Sequence, residues 1–561
     1  MTTCSNTESQ VGGIGPHYSV VVGPHPHVSR CARGPTPAHA RPTPSALARA
    51  AAALPALASI APLATHNEPL GSALGRPRMP NAERRAPAVL ALALVCLASA
   101  CTVGPKYVRP TVETPPPAFK EAVNPSGVAW AQAAPADAAV KGDWWTRFGD
   151  PVLDALEARV NVSSQTIQQA AAQFQEARAV YAGDRAGRFP TVTADPSITR
   201  QRLSGTRSNQ VITSQTGNAY ALLFDASYEA DVWGRVRQSV AAGRAGMQAS
   251  AADLENVRLS VHAEVAADYL QIRALDAESV LLQDTIEAFQ KALDLTTNRY
   301  NAGVASRADV AQAQAQLEGT RAQAIDLGVQ RAQLEHAVAV LIGQLPSSFS
   351  IPATPLSGEP PAIPLALPSE LLQRRPDVAG AERRVAAANA QVGVATAAFF
   401  PTLLLSASGG FQSSKIGEWL NWPSRFWSIG PSLAATIFDG GARRAVRDEA
   451  RASYDQTVGE YRQSVLAAFQ DVEDNLAAIR ILADEGERQQ AAIQAAQQSL
   501  EIALNQYRGG LVSYLNVTTA QSVALADERT GLDVLARRYA ASVQLVKALG
   551  GGWEASQLPQ Q

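Results

Sequence analysis

The sequence predicts a mixed α and β membrane protein built from a tandem repeat, with four strands per chain in a barrel shared between chains and long α-helices that continue it. Three observations carry this reading. Proline is absent from 197 to 345 and from 432 to 558, while eight prolines crowd into 346–376, so two long helical regions flank a Pro-rich linker. One offset of 207 residues pairs Leu259 with Leu466, Val265 with Val472, Ile272 with Ile479, Leu275 with Leu482, Tyr300 with Tyr507, Gly303 with Gly510, Ser306 with Ser513, Val310 with Val517 and Gly343 with Gly550. Self-similarity at one fixed offset means that the same supersecondary unit is used twice. Four further segments alternate apolar and polar residues with the period of a strand.

Residues 1–80 carry twelve prolines and no helical or strand period, so no packed core is expected there. From Met79 the pattern changes to Arg84 and Arg85, then an apolar run over 88–97, then small residues up to Cys101. That is the layout of a secretory signal, and its apolar core falls short of the roughly 20 residues that span a bilayer as a helix. The reading takes Met79 as the start, 1–78 as a start-site artefact and 79–100 as a lipoprotein signal peptide. A cysteine after small residues resembles a bacterial lipobox, although Ala98 stands where Leu is usual and Leu97 lies one place early. The resemblance implies cleavage before Cys101, acylation of its thiol and new amine, and sorting to the outer membrane, since Thr102 rather than Asp follows. A stray cysteine behind an ordinary signal peptide is the alternative. Residues 101–140, with seven prolines between Pro105 and Pro135, are expected to form an extended tether.

The first repeat covers 141–345, with strands expected at about 190–203 and 218–232 and long helices at about 235–300 and 306–342. The linker covers 346–376. The second repeat covers 377–553, with strands at about 401–412 and 426–438 and helices at about 442–507 and 513–549, leaving 554–561 as a tail. A helix of some 66 residues is about 99 Å long, far beyond a globular helix. Each ends at a turn, Asn301-Ala302-Gly303 or Arg508-Gly509-Gly510, where glycine supplies the left-handed conformation, and Ser306 and Ser513 are N-cap candidates for the returning helices.

In the strand segments Tyr220, Leu222, Phe224, Ala226 and Tyr228 alternate with Ala221, Leu223, Asp225, Ser227 and Glu229, and Trp427, Ile429 and Leu433 alternate with Ser428 and Ser432. Strands of 10–12 residues match a tilted membrane barrel. Open sheet edges are forbidden in hydrocarbon, and four strands cannot close alone, so two or more chains must pool theirs. The alternation sends Asp225 and Glu229 to a wet lumen and the apolar residues to lipid, with Trp419, Trp422, Phe426 and Trp427 as an interfacial girdle. A soluble β-domain with one buried face is the competing reading.

Composition narrows the function. The 561 residues are 46% hydrophobic and 17% charged with a formal charge of −2, which leaves no electrostatic footprint for nucleic acid. Beyond Cys96 and Cys101 the only cysteine or histidine residues after Met79 are His262 and His336. That is too small an inventory for a metal centre or a Cys/His nucleophile, and no cofactor motif occurs, so an enzyme is disfavoured.

Four motifs now carry a resemblance: the run from Cys101 to Pro110, Trp144-Trp145-x-x-Phe148-x-Asp150-Pro151-x-Leu153, Arg374-Arg375-Pro376-Asp377-Val378, and the paired Phe189-Pro190 and Phe400-Pro401. Together they resemble the outer membrane factor (TolC-like) family, in its NodT-type lipoprotein branch, over about 101–553. The resemblance implies a homotrimer with a twelve-stranded barrel and a helical periplasmic tunnel. It also implies passive export of small molecules in a tripartite efflux pump, with a periplasmic adaptor and an inner-membrane transporter of the resistance-nodulation-division type. A pore-less coiled-coil lipoprotein of the envelope is the alternative.

By the same resemblance the Gly303 and Gly510 turns are the periplasmic tips, where the adaptor docks and the tunnel narrows, and Asp309 matches an acidic position near that constriction. Ser306-x-x-Asp309 also reads as a capping box. At the second tip Asn516 and Thr519 replace the usual acids and Val512 stands where some members have Arg, so Tyr514 with Leu515 is expected to narrow the tip sterically rather than through charge. His262 and His336 are read as ordinary helix residues, and Trp144, Trp145 and the Arg374–Asp377 junction as structural.

Overall fold

The computed structural model describes residues 103–112, 115, 118–122, 142–202, 216–363 and 371–559. Helices α1 (Pro151–Ser163) and α2 (Gln165–Ala186) lead into strands β1 (Thr191–Arg202) and β2 (Thr216–Ala230), then helices α3 (Arg235–Asn301) and α4 (Arg307–Leu341). After the linker the order recurs as α5 (Pro376–Ala397), β3 (Thr402–Ser413), β4 (Arg425–Ala434), α6 (Ala442–Arg508) and α7 (Tyr514–Ala548). Equivalent helices have equal lengths: 22 residues for α2 and α5, 67 for α3 and α6, and 35 for α4 and α7.

Helix entry is set locally. The Asp150 carboxylate accepts from the Val152 and Leu153 amides while Pro151 takes the first position of α1, an arrangement whose missing amide and fixed φ suit a helix start. Asp150 also pairs with Arg273 at 3.0 Å and accepts from the Tyr269 hydroxyl at 2.7 Å, so the motif residue caps one helix and ties it to another. Pro376 likewise takes the first position of α5, there without a side-chain cap. The preceding Arg375 guanidinium reaches Asp377, Asp471 of α6 and the Ala548 carbonyl at the end of α7.

All four strands form one antiparallel sheet in the order β1-β2-β3-β4. The repeats therefore meet at β2–β3, and β1 and β4 are left as edges. Pro196 and Pro431 lie on those two edge strands, where a residue without an amide hydrogen is tolerated. Strand β4 stops at Ala434 rather than near 438, because its ladder partner β3 begins at Thr402, which pairs with Ala434.

The largest core is a collar near the middle of the long helices. Val265, Tyr269 and Ile272 of α3 meet Leu153 and Val160 of α1, Val472 and Leu476 of α6, and Val543 and Leu545 of α7, all essentially fully buried. Above it α5 packs against α3 and α6, and α2 against α3; below it α4 pairs with α3 and α7 with α6. Trp144 and Trp145 are buried in this collar. Trp145 stacks on His262 at 4.6 Å, and His262 Nδ1 lies 2.5 Å from Glu157 Oε2. The described first part of the linker is stitched down: the Thr354 amide donates to Asp276 at 2.9 Å and the Leu356 amide to the Arg273 carbonyl at 2.8 Å. Nor is the described part of the expected tether free, since Phe119 is 3% exposed and residues 103–112 run against α5 and α6; Tyr107 and Phe119 give it apolar area to bury.

Candidate functional site: barrel staves and tunnel tip

The sheet register sorts side chains onto two faces. Thr193, Asp225 and Ser408 lie opposite one another across three strands, as do Thr191, Ser227 and Ser406. The other face aligns Val192, Ala226, Ala407 and Ile429, and Ala194, Phe224, Gly409 and Trp427. Val192, Ile198, Trp427, Ile429 and Leu433 are each about 70% exposed on this face, an apolar band with no covering layer in the single chain. Leu223, Leu404 and Phe426 fall on the polar face, so Phe426 does not share the side of Trp427 and the expected four-member girdle loses it. Trp422 remains exposed, with Arg425 stacked over its ring at 3.7 Å.

Asp225 stands on the polar face between Thr193 and Ser408. Glu229, near the end of β2, accepts from Nε and Nη2 of Arg235 at 2.7 and 2.5 Å, so its charge is compensated at the strand-to-helix corner. Asp231 caps the start of α3 through the Val236 and Arg237 amides, as Asp439 does for α6 through Gly441 and Arg443. No helix among the described residues is long and apolar enough to cross a membrane.

At the opposite end Gly303 and Gly510 close the two hairpin turns with φ of 74° and 75°, values that suit glycine. Ser306 and Asp309 form a complete capping box, the Asp309 amide donating to Ser306 Oγ at 3.1 Å and the Ser306 amide to the Asp309 carboxylate at 3.0 Å. The second hairpin differs. Ser513 makes no side-chain cap to the α7 backbone, its hydroxyl meeting Asn516 Oδ1 at 3.4 Å instead.

Tyr514 corrects the steric expectation. Its ring is 2% exposed and packs edge-on against Tyr507 at 5.3 Å, beside Ala313 and Val517. Burial, with Tyr507 and Asp309 nearby, pushes its hydroxyl up to about 12. The ring thus holds the two hairpins together, and the exposed apolar groups at the tip are Val304, Leu511 and Leu515.

Sequence reasoning missed Arg299. Its guanidinium lies 4.8 Å from the Tyr507 ring centroid and donates to the Arg508 carbonyl at 3.1 Å, capping α6 from the neighbouring hairpin. A cation in the last turn of α3 was the available signal, but that it serves the other helix is a tertiary fact. Gln312 to Thr518, Gln316 to Ser522 and Arg529 to Gln323 extend the cross-links between α4 and α7. Cys101 lies outside the described residues, whereas Val103 donates its amide to the Trp233 carbonyl at 3.0 Å, just past the end of β2.

The family model for outer membrane efflux proteins matches residues 158–344 and 367–551. Among curated relatives, the probable efflux pump outer membrane protein TtgC of Pseudomonas putida is 31% identical over 81% of this chain and 93% of its own length. The pyoverdine export outer membrane protein OpmQ of Pseudomonas aeruginosa is 32% identical over 79% and 94%. Among solved structures, the outer-membrane channel OprN aligns with a TM-score of 0.74 at 29% identity, over 81% of this chain and all of its own. VceC of Vibrio cholerae aligns at 0.69 and 27%, over 73% and 99%. With most of its length matched by the family model and by relatives that are 31–32% identical over nearly their whole length, the chain belongs to the outer membrane efflux protein family.

Proposed function

We propose that three copies of this chain form the outer-membrane channel of a tripartite efflux pump, a conduit that performs no chemistry and takes its driving force from an inner-membrane transporter. The observation that carries this is the four-stranded sheet with one apolar face, one polar face and two open edges. Unpaired strand edges in hydrocarbon cost several kcal/mol per group, so β4 of one copy must pair with β1 of the next. Three copies then give twelve strands, well within the range of membrane barrels. The helices ask for the same closure. Within the chain α5 sits between α3 and α6, while α2 packs mainly on α3; by the repeat, α6 of a second copy is the missing neighbour, and exposed Val180 on α2 and Val446 on α6 are the apolar groups it would cover.

In this assembly the apolar face meets lipid and Asp225 lines the lumen with its threonine and serine neighbours, Glu229 being neutralised at the lumen's base by Arg235. The Gly303 and Gly510 turns form the periplasmic tip, where exposed Val304, Leu511 and Leu515 offer an apolar edge to an adaptor protein. Asp309 is a capping residue whose carboxylate is committed locally, and Ser306, Ser513, Tyr514 and Asn516 set the geometry of the constriction. The Val103–Trp233 bond holds residue 103 at the foot of β2, which supports acylation at Cys101. Relatives named for antibiotic and toluene efflux and for pyoverdine export support small molecules as cargo; that the inner-membrane partner is of the resistance-nodulation-division type rests on the family resemblance alone. Electron microscopy of the detergent-purified Met79-start chain tests the reading. Hollow threefold rings on cylinders over about 100 Å long are expected; monomers or solid rods would overturn it.

A further inference from the structure

The two repeats do not receive the same support at the collar from their own sequences. On α3, the segment ahead of α1 supplies two contacts: Trp145 stacks on His262 at 4.6 Å, and Asp150 pairs with Arg273 at 3.0 Å. The positions 207 residues on are Phe469 and Arg480 of α6. The sequence counterpart of that supporting segment is the linker, and the linker goes elsewhere. Ile351 meets Arg331 and Glu335, Thr354 meets Asp276, Leu356 meets Arg273 and Ser357 meets Tyr539. The equivalent seat on α6 is occupied instead by residues that precede both repeats. Phe119 packs on Phe469 with ring centroids 6.4 Å apart, and Glu121 pairs with Arg480 at 2.6 Å.

We infer that the described residues of 103–122 are a structural member of the second-repeat collar, a strap that gives α6 the aromatic and acidic contacts that Trp145 and Asp150 give α3, and that it braces the α5–α6 wall whether or not the chain is acylated. The chemistry is matched group for group. An aromatic ring covers the 262 or 469 position, and a carboxylate meets an arginine eleven residues further along the same helix. The spacing inside the supporting segments differs, five residues from Trp145 to Asp150 against two from Phe119 to Glu121. The strap is thus not a third copy of the repeat but an unrelated segment fitted to a repeated seat.

Anchorage continues along its length. Glu473 accepts the Lys120 and Glu121 amides at 2.8 and 2.9 Å, satisfying backbone donors that a leash would leave to water. Arg462 donates to the Thr111 carbonyl at 3.3 Å, Arg109 to the Tyr461 hydroxyl at 3.1 Å, and Tyr107 bonds Glu382 of α5. Tyr107 and Val112 cover the small core formed by Val378, Val385, Tyr461 and Val465. The upper end is fixed by the Val103–Trp233 bond, so the strap links the foot of the barrel to the collar along one face of α6.

The test uses the full acylated chain in detergent and reads amide hydrogen exchange over 458–480 of α6, with 262–273 of α3 as the internal reference. Glu121→Arg and Arg480→Glu singly should raise exchange over 458–480 by about tenfold or more, and expose 118–122 to protease, while leaving 262–273 unchanged. The double swap should restore protection. Phe119→Ser should act like the single swaps, and Cys101→Ser should leave exchange at wild-type level. Unchanged exchange in the single swaps, failure of the double swap to recover, equal loosening of 262–273, or loss of protection in Cys101→Ser would each overturn the inference. Single-channel conductance of the same variants is the independent check on the channel reading, and it is expected to persist.

Discussion

The buried pair in the collar makes a prediction about pH that can be worked through with its sign. Glu157 is fully buried and His262 nearly so, 2.5 Å apart, with His262 Nε2 3.2 Å from Asn161 Oδ1. Burial, with Asp154 close by, pushes the Glu157 carboxyl up to about 9, while burial and Arg258 push His262 down to about 4. Both groups are therefore neutral near pH 7, with the carboxyl proton donated to Nδ1 and Nε2–H donated to Asn161. The consequences for stability have opposite signs. The folded chain keeps a Glu157 proton that the unfolded chain releases above about pH 4.5, so this contribution is lost progressively as pH rises toward 9. The folded chain refuses a His262 proton that the unfolded chain accepts below about pH 6.5, so stability also falls as pH drops toward 4. Each limb has a slope of about 1.4 kcal/mol per pH unit. Replacing Glu157 by Gln removes the alkaline limb, and the gap between variant and wild type should move by about 3 kcal/mol between pH 6 and pH 8, roughly a hundredfold in local opening. Replacing His262 by Phe, the residue that the second repeat carries at 469, removes the acid limb. Protection factors of the amides in α1 measure both. Parallel profiles for Glu157→Gln and wild type over that range would mean an ionised carboxylate paired with an imidazolium, and the reasoning would be wrong.

Glycine substitution separates crowding from backbone strain. An alanine Cβ at Gly550, φ +90°, would lie 2.0 Å from the Arg374 carbonyl oxygen, whereas at Gly303, φ +74°, it meets nothing within 4 Å. Gly550→Ala should cost about 2–5 kcal/mol, strain plus overpacking, and Gly303→Ala about 1–2 kcal/mol; thermal unfolding in detergent gives the ranking, and its reversal would count against the collar geometry. On the barrel, Ile429→Lys on the apolar face should lose about 2–4 kcal/mol of membrane stability and assemble poorly, while Ser428→Lys, one residue away on the polar face, should insert and lower cation conductance in planar bilayers. At the tip, Arg299→Ala leaves the Arg508 carbonyl uncapped and frees the Tyr507 ring, a loss of about 1–2 kcal/mol expected to appear as raised open probability; an unchanged gating record would argue that the staple does not restrain the tip.

What the sequence determined by itself are the features written in local period and self-similarity. The 207-residue offset, the alternation from Tyr220 to Tyr228 and from Trp427 to Leu433, the proline-free helical spans and the Gly303 and Gly510 turns each depend on neighbours a few residues away, or on the comparison of one half with the other. Pairing across distance was not legible. His262 reads as one more helix residue until α1 brings Glu157 to it, 105 positions earlier in the chain. Tyr514 reads as a side chain for the constriction until the fold packs it beside Ala313 of the first hairpin, and Arg299 serves a helix that lies two hundred residues on. The strap shows the limit most plainly. Seven prolines over 105–135 point to extended chain, but whether such a chain is loose or docked depends on which groove lies beside it. That groove is assembled from α5 and α6, some 250–360 residues away. Burial of an aromatic ring and satisfaction of backbone donors are properties of the assembled surface, so only the tertiary structure could decide them.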